Sequence, residues 1–229
     1  MYARQIPVSQ ATEIEREAFY KKTYLHVAFA VLAFIVVETL LIATVPVELV
    51  SMMVGSQFSW LFILGVFWLA SMLSNKLVMA EKKSTQYMGL GIFVFIEAII
   101  FLPMIYMAAG YSGSNNVLLQ AGFMTLAMFA GLSFIAFTTK KDLSWMRGIL
   151  VMGGFIALGL IVLGSIFGFE LGLWFSVGMV AIASGSILYQ TQQIKNEYSS
   201  DMYVGAALQL FASVMLLFWY ILRIFLSRD

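Results

Sequence analysis

The chain has 229 residues, 62% of them hydrophobic and 11% charged, with a net charge of +1 and a mean hydropathy of +0.93. That composition excludes an ordinary water-soluble domain, and the near-balanced charge gives no support for nucleic-acid binding. The absence of cysteine excludes disulfides, thiolate metal sites and a cysteine nucleophile.

Taken in chain order, residues 1–22 read as a short, partly helical cytoplasmic tail, in which Ser9 or Thr12 can cap a helix entering Glu13, Glu15, Arg16 and Glu17. This tail lacks a basic start, a short apolar core and a small-residue cleavage site, so the first span is expected to stay attached. Residues 23–229 form the expected transmembrane domain. It contains seven apolar runs, at about 24–44, 57–75, 87–109, 117–137, 148–168, 173–194 and 204–226, each close to the roughly 20 residues a helix needs to cross a bilayer core. The runs are continuously apolar, whereas barrel strands alternate over about ten residues. The expected fold is therefore all-α, a polytopic membrane protein with seven transmembrane helices. Only Ser227, Arg228 and Asp229 follow the last run, so no soluble catalytic domain is expected after it.

Basic residues set the expected orientation. Arg4, Arg16, Lys21 and Lys22 precede the first span; Lys76, Lys82 and Lys83 follow the second; Lys140, Lys141 and Arg147 follow the fourth; Lys195 follows the sixth. The intervening connections, near Glu48, at GYSGSNN and at Glu170, carry neither Lys nor Arg. The amino terminus is thus expected in the cytoplasm and the carboxyl terminus outside. Arg223 and Arg228 depart from the rule, but at a helix end a long cationic side chain can reach the interface.

Polar groups within the spans mark where function is to be sought, because a charge at the bilayer centre costs about 2.5–3.5 kcal/mol on insertion scales. Two carboxylates qualify as ion or proton sites. Glu38 falls in the outer half of the first span, and Glu97 lies near the middle of the third, six residues before Pro103. That proline disfavours the hydrogen bond to the Ile99 carbonyl and predicts a kink suited to water or a cation. The alternative for Glu97 is a neutral acid hydrogen-bonded to a neighbouring helix. His26, the single histidine, reads as an interfacial polar residue rather than a pH sensor. Gly148, Gly153, Gly154, Gly159, Gly164 and Gly168 in the fifth span, with Gly178, Ala181 and Gly185 in the sixth, predict close packing of both helices in the bundle. The 15 methionines read as filler of interhelical gaps rather than a metal path.

The sixth span ends in ILYQTQQIK, residues 187–195, with Ser186, Gln190 and Gln193 on one face; the seventh carries Gly205, Gln209, Ser213 and Tyr220 on one face. Two polar faces at the same depth predict a hydrogen-bonded helix pair. No P-loop, dinucleotide fingerprint, GxSxG or HExxH motif is present, so no catalytic residue, cofactor or metal is assigned and an enzyme is not expected.

FTTKKDLS at 137–144, ILYQTQQIK and the ending LLFWYILRIFLSRD together resemble the Bax inhibitor-1, or transmembrane Bax inhibitor motif, family, and particularly its bacterial branch. The resemblance implies six helices around a central seventh and a pH-sensitive carboxylate dyad closing a calcium leak. One implied aspartate directly follows the tyrosine of the sixth span, where this chain has Gln190; the other falls in LFASVMLLF, where it has Ser213. Both departures remove a titrating group and leave a hydrogen-bonding one. The resemblance also implies members that modulate a membrane-anchored AAA protease. The expected protein is thus a bacterial inner-membrane regulator or interaction subunit, whose partners are the bilayer and other membrane proteins. The alternative is a leak for calcium or another cation with altered pH gating, leaning on Glu97 or Glu38.

Overall fold

The structure is a computed structural model, and residues 7–110 and 117–227 are described. After a 3-10 turn at Val8–Gln10 come eight helices among the described residues: α1 (Glu13–Thr44), α2 (Val47–Val54), α3 (Gln57–Val78), α4 (Lys83–Gly110), α5 (Val117–Thr138), α6 (Met146–Phe167), α7 (Gly172–Asn196) and α8 (Tyr203–Leu226). No strand occurs among those residues beyond an isolated antiparallel bridge between Pro7 and Ser199. The seven apolar runs fall on α1 and α3 to α8. Six of these helices, α1 and α4 to α8, are long and apolar enough to cross a membrane.

Local signals account for the starts of the first three helices. The Glu15 amide donates to Thr12 Oγ1 at 3.3 Å while the Thr12 amide donates to Glu15 Oε2 at 3.0 Å, a reciprocal capping box. The amide and hydroxyl of Thr12 hold the exposed Glu15 carboxyl below its ordinary range. Because α1 starts at Glu13, the second half of the expected tail is continuous with the first span.

The connection near Glu48 contains the eight-residue helix α2. Pro46 stands at its N-cap with φ −62°, where a missing N–H costs nothing, and Glu48 complements the positive helix start. Gly55 ends α2, and Ser56 then caps α3 by accepting from the Ser59 amide at 3.1 Å.

Burial is uneven among helices of similar apolarity. In α8 and α4, 72% and 67% of the central stretch is buried, against no more than 28% in α1, α5, α6 or α7. The centre is therefore a helix pair. α8 packs against α1, α3, α4, α5 and α7, and α6 lies outside against α7 and α3. Phe101 of α4 anchors the core, with ring centroids 5.2 Å from Phe34, 5.8 Å from Phe218 and 4.9 Å from Trp219. Lipid tails are as apolar as these side chains, so such packing stabilises through close contact rather than through exclusion of water.

The expected tight glycine face on α6 is largely not realised. A Cβ built at Gly148, Gly154 or Gly159 would meet nothing within 4 Å, and α6 is the least buried of the membrane-length helices. Gly164 and Gly168 form a helix end instead of an interhelical pair: Gly168, at φ +72°, donates its amide to the Gly164 carbonyl at 2.9 Å. Close approach of α6 to α7 rests on Gly153, beside Ile182, and on Gly185, beside Leu150 and Met146, each with 3.2 Å of room for a Cβ. A run of small residues fixes composition but not direction, and most of these glycines point away from protein.

Candidate functional site

The three glutamines of ILYQTQQIK project in different directions, since successive helix residues are about 100° apart, and each has its own partner. Ser213 Oγ of α8 donates to Gln190 Oε1 at 3.0 Å, so the sixth and seventh spans are joined where their pairing was expected. Gln192 is braced against the α5–α6 connection: its Oε1 accepts from the Leu143 amide at 2.7 Å and its Nε2 donates to the Lys141 carbonyl at 2.6 Å. Gln193 stays on its own helix end, donating to Glu197 Oε2 at 3.1 Å. One further turn on, Lys195 Nζ donates to the carbonyls of Phe137 at 3.0 Å and Thr139 at 3.4 Å, satisfying acceptors that the end of α5 leaves open.

FTTKKDLS is therefore fastened to α7 at both ends. Within it, Ser144 donates its amide to Asp142 Oδ1 at 2.9 Å and its hydroxyl to Oδ2 at 2.7 Å. These two bonds hold the exposed Asp142 carboxyl below its ordinary range.

Among the described residues, the rest of the expected polar stripe makes no further hydrogen bond across the α7–α8 interface. Ser186 Oγ donates to its own helix at the Ile182 carbonyl, 3.0 Å away. Gln209 Nε2 donates to Asn75 Oδ1 of α3 at 3.1 Å. Tyr220 packs edge-on to Phe175, with centroids 5.9 Å apart. The stripe is real as a spacing, but α8 is surrounded, so its polar residues are shared among several neighbours.

Further contacts complete this end of the bundle. Val8 donates its amide to the Tyr198 carbonyl at 2.7 Å, and Tyr20 OH donates to the Lys195 carbonyl at 3.4 Å. Tyr24 OH lies 3.4 Å from Thr191 Oγ1, and its ring stacks on Phe129 at 5.7 Å. His26 joins a second cluster, with Nδ1 2.7 Å from the Lys22 carbonyl and Nε2 2.9 Å from Tyr87 OH. Lys83 lies 4.4 Å over the Tyr203 ring and donates to Gln86 Oε1 and to the Asp201 carbonyl. Sequence reasoning named Lys195 only for orientation and assigned no contact to Gln192, Tyr24 or Tyr87. The detectable signal was the pairing of a loop rich in exposed backbone donors and acceptors with an amide and an ammonium at the end of a span.

The two intramembrane acids stand apart from this network. Glu97 is buried on α4, and no side-chain hydrogen bond to it occurs among the described residues. Glu38 is buried on α1, and neither carboxyl oxygen has a hydrogen-bond partner among the described residues. It lines a groove of about 430 Å³ between α1 and α5 whose floor is α8, with Ile105 of α4 at one side. No hydrogen bond connects either acid to Gln190 or Ser213.

Comparison with known proteins places the chain in a family. The family described as "Inhibitor of apoptosis-promoting Bax1" matches residues 16–229. An uncharacterized protein of Pseudomonas aeruginosa is 35% identical over 124 residues, 54% of this chain and 55% of that protein. Protein LIFEGUARD 4 of Arabidopsis thaliana is 26% identical over 227 residues, 93% of this chain and 86% of that one. An uncharacterized protein of Caulobacter vibrioides is 37% identical over 116 residues, 45% of each. The chain spans about half the length of the two bacterial relatives. With the family matched from within α1 to its end, this membrane protein belongs to the Bax inhibitor-1 family.

Proposed function

We propose that this protein is a regulatory or interaction subunit of a larger membrane complex, of which a membrane AAA protease is one type, and that it is not itself an enzyme. It crosses a bacterial inner membrane seven times, with the amino terminus cytoplasmic and the carboxyl terminus periplasmic. The observation that carries this reading is the neutral Ser213–Gln190 bond at 3.0 Å, placed where the family resemblance implies a titrating carboxylate pair. Amide and hydroxyl preserve the α7–α8 joint without offering a charge to switch or a divalent ion to hold. At the same end, Gln192 and Lys195 hold the FTTKKDLS connection in one conformation, as a preorganised docking surface requires.

A second reading, a cation leak for calcium or another ion with altered pH gating, is favoured by the buried, unpartnered carboxyl of Glu38. Two measurements separate the readings. A photo-crosslinking residue at Lys140 is expected to capture a defined membrane complex, with capture weakened in Gln192→Leu, where the loop is released. Calcium flux through the purified protein in liposomes, from about pH 5 to 8, is expected to show no steep acid closure, whereas Gln190→Asp with Ser213→Asp introduces one. A strong wild-type leak that switches with pH and is abolished by Glu38→Gln or Glu97→Gln establishes the channel reading instead.

A further inference from the structure

The groove beside Glu38 has the construction of a ligand site independent of the α7–α8 joint. Its walls are apolar and come from α1 and α5, with Val214, Met215 and Phe218 of α8 as its floor. Near the basic end the two walls meet where Tyr24 stacks on Phe129. Farther along they part, and the rim residues Ile35, Leu119, Phe123 and Leu126 are 51–71% exposed on the apolar outer surface, so the groove opens sideways toward lipid. A volume of about 430 Å³ lies within the roughly 300–1,000 Å³ typical of small-molecule sites.

Into this space projects one acid. Glu38 is 4% exposed, both of its oxygens are buried, and neither has a hydrogen-bond partner among the described residues. No other lining residue from α1, α4, α5 or α8 carries a titratable group. Thr125, the buried hydroxyl on the α5 wall, is already committed to the Ala121 carbonyl at 2.7 Å, and Thr39 on α1 to the Ile35 carbonyl at 2.7 Å. Among the described residues, donors for Glu38 are therefore lacking. A buried carboxyl without one is unfavourable, and a bound group that supplies it gains the corresponding stabilisation.

We infer that the α1–α5 groove binds a membrane-dissolved amphiphilic amine, with its ammonium hydrogen-bonded to Glu38 and its hydrocarbon body along the apolar walls. An ammonium suits the site better than a hydroxyl because it brings both the donors and the opposite charge, and charge-assisted hydrogen bonds are roughly twice as strong as neutral ones. A quaternary ammonium has the charge without an N–H. Access from the bilayer removes any need for a water-filled path. This inference is independent of the partner-subunit reading, since neither α7 nor the loop it holds lines the groove.

The test uses the full chain in phosphatidylcholine nanodiscs with dodecylamine as the probe, and dodecanol and dodecyltrimethylammonium as controls. Dodecylamine is expected to raise Tm by about 2–4 °C, and the controls to leave it unchanged; the shift is lost in Glu38→Gln. Adding dicyclohexylcarbodiimide traps the complex. A proton of the ammonium passes to a carbodiimide nitrogen as a Glu38 carboxylate oxygen bonds to the carbodiimide carbon, giving an O-acylisourea and the free amine. The amine lone pair then attacks the acyl carbon, the acyl C–O bond breaks, and dicyclohexylurea departs carrying the second N–H proton as the amide bond forms.

Peptide mass spectrometry is expected to find the dodecylamide on Glu38 at a yield at least about tenfold above that on Glu97. Gly122→Leu keeps the acid but fills the groove, since a Cβ at Gly122 meets nothing within 4 Å; it is expected to abolish both the shift and the amide. Equal Tm shifts with all three amphiphiles, equal adducts on Glu38 and Glu97, or an undiminished adduct in Gly122→Leu would each overturn the inference.

Discussion

At the scale of single residues, neighbouring amides do unlike work, and the difference sets what each substitution does. Gln190 has one hydroxyl donor from α8, and intramembrane hydrogen bonds average only about 0.6 kcal/mol. Ser213→Ala is therefore expected to lower Tm in detergent by about 2 °C or less; a loss of ten degrees would mean that the pair holds the bundle together. Gln192 makes two bonds to the backbone of the α5–α6 connection. At about 1 kcal/mol each, their removal in Gln192→Leu is expected to speed hydrogen exchange of the Leu143 amide by about tenfold or more, leaving the core amides of α8 unchanged. Asp142 supplies a pH test with a definite sign. Its folded value is depressed by Ser144, so its contribution to loop order is complete above the ordinary aspartate value of about 3.9 and is lost as pH falls through the lower folded value. The NMR shift of the Ser144 amide is expected to titrate below that ordinary value in the wild type and not at all in Asp142→Asn; titration at or above it removes the argument. The Gln190–Ser213 contact was legible in the sequence because both residues lie on stripes of helical period. Gln192 was not, because it sits about 200° around the helix from Gln190 and its partners are backbone groups, which leave no trace in side-chain patterning.

Among whole elements, the start of the first helix was more legible than packing faces. Thr12, read from the sequence as a possible cap, closes a capping box with Glu15 three residues later, whereas Gly168, read as a close-packing glycine, is a helix stop at φ +72°. Which glycines sit against a neighbour was not legible, because in lipid the surface facing protein and the surface facing tails are equally apolar and no polar stripe separates them. Gly89 on α4 drew no notice, yet a Cβ there would lie 2.8 Å from Leu77 Cβ, 3.0 Å from the Ser74 carbonyl and 3.1 Å from Val78 Cγ1. Backbone and Cβ atoms of α3 cannot swing away as a side-chain end can. Gly89→Ala is accordingly expected to destabilise by about 1–3 kcal/mol through overpacking. Gly159→Ala, which adds a methyl to open space, is expected to stabilise by about 0.5–1 kcal/mol through helix propensity. Unfolding of the two variants in detergent–denaturant mixtures measures the difference, and the reverse order would place α3 and α4 farther apart than described.

For the molecule as a whole, α8 and α4 at the centre and α6 at the edge follow from contact rather than from composition, since all the runs are similarly apolar. What the sequence did carry was alternation: basic connections and connections without Lys or Arg take turns along the chain. The structure gathers the basic ones at one end, where Val8 meets Tyr198, Lys83 meets Asp201, and Gln192 meets the Lys140-to-Ser144 connection. Moving any of these across the bilayer would break that cluster as well as drag charges through hydrocarbon. With no native cysteine to remove, single substitutions give a clean test. Cysteines at Ser9, Lys82 and Lys140 are expected to react with an impermeant maleimide from the same side of sealed vesicles, and those at Glu48 and Glu170 only from the other. Cysteine at Leu217, fully buried on α8, is expected to stay unreactive and shielded from lipid-soluble oxygen, whereas one at Phe155, 72% exposed on α6, is expected to be open to it. Labelling of positions 140 and 170 from one side would require that α6 not cross the membrane, and the seven-span arrangement would fall with it.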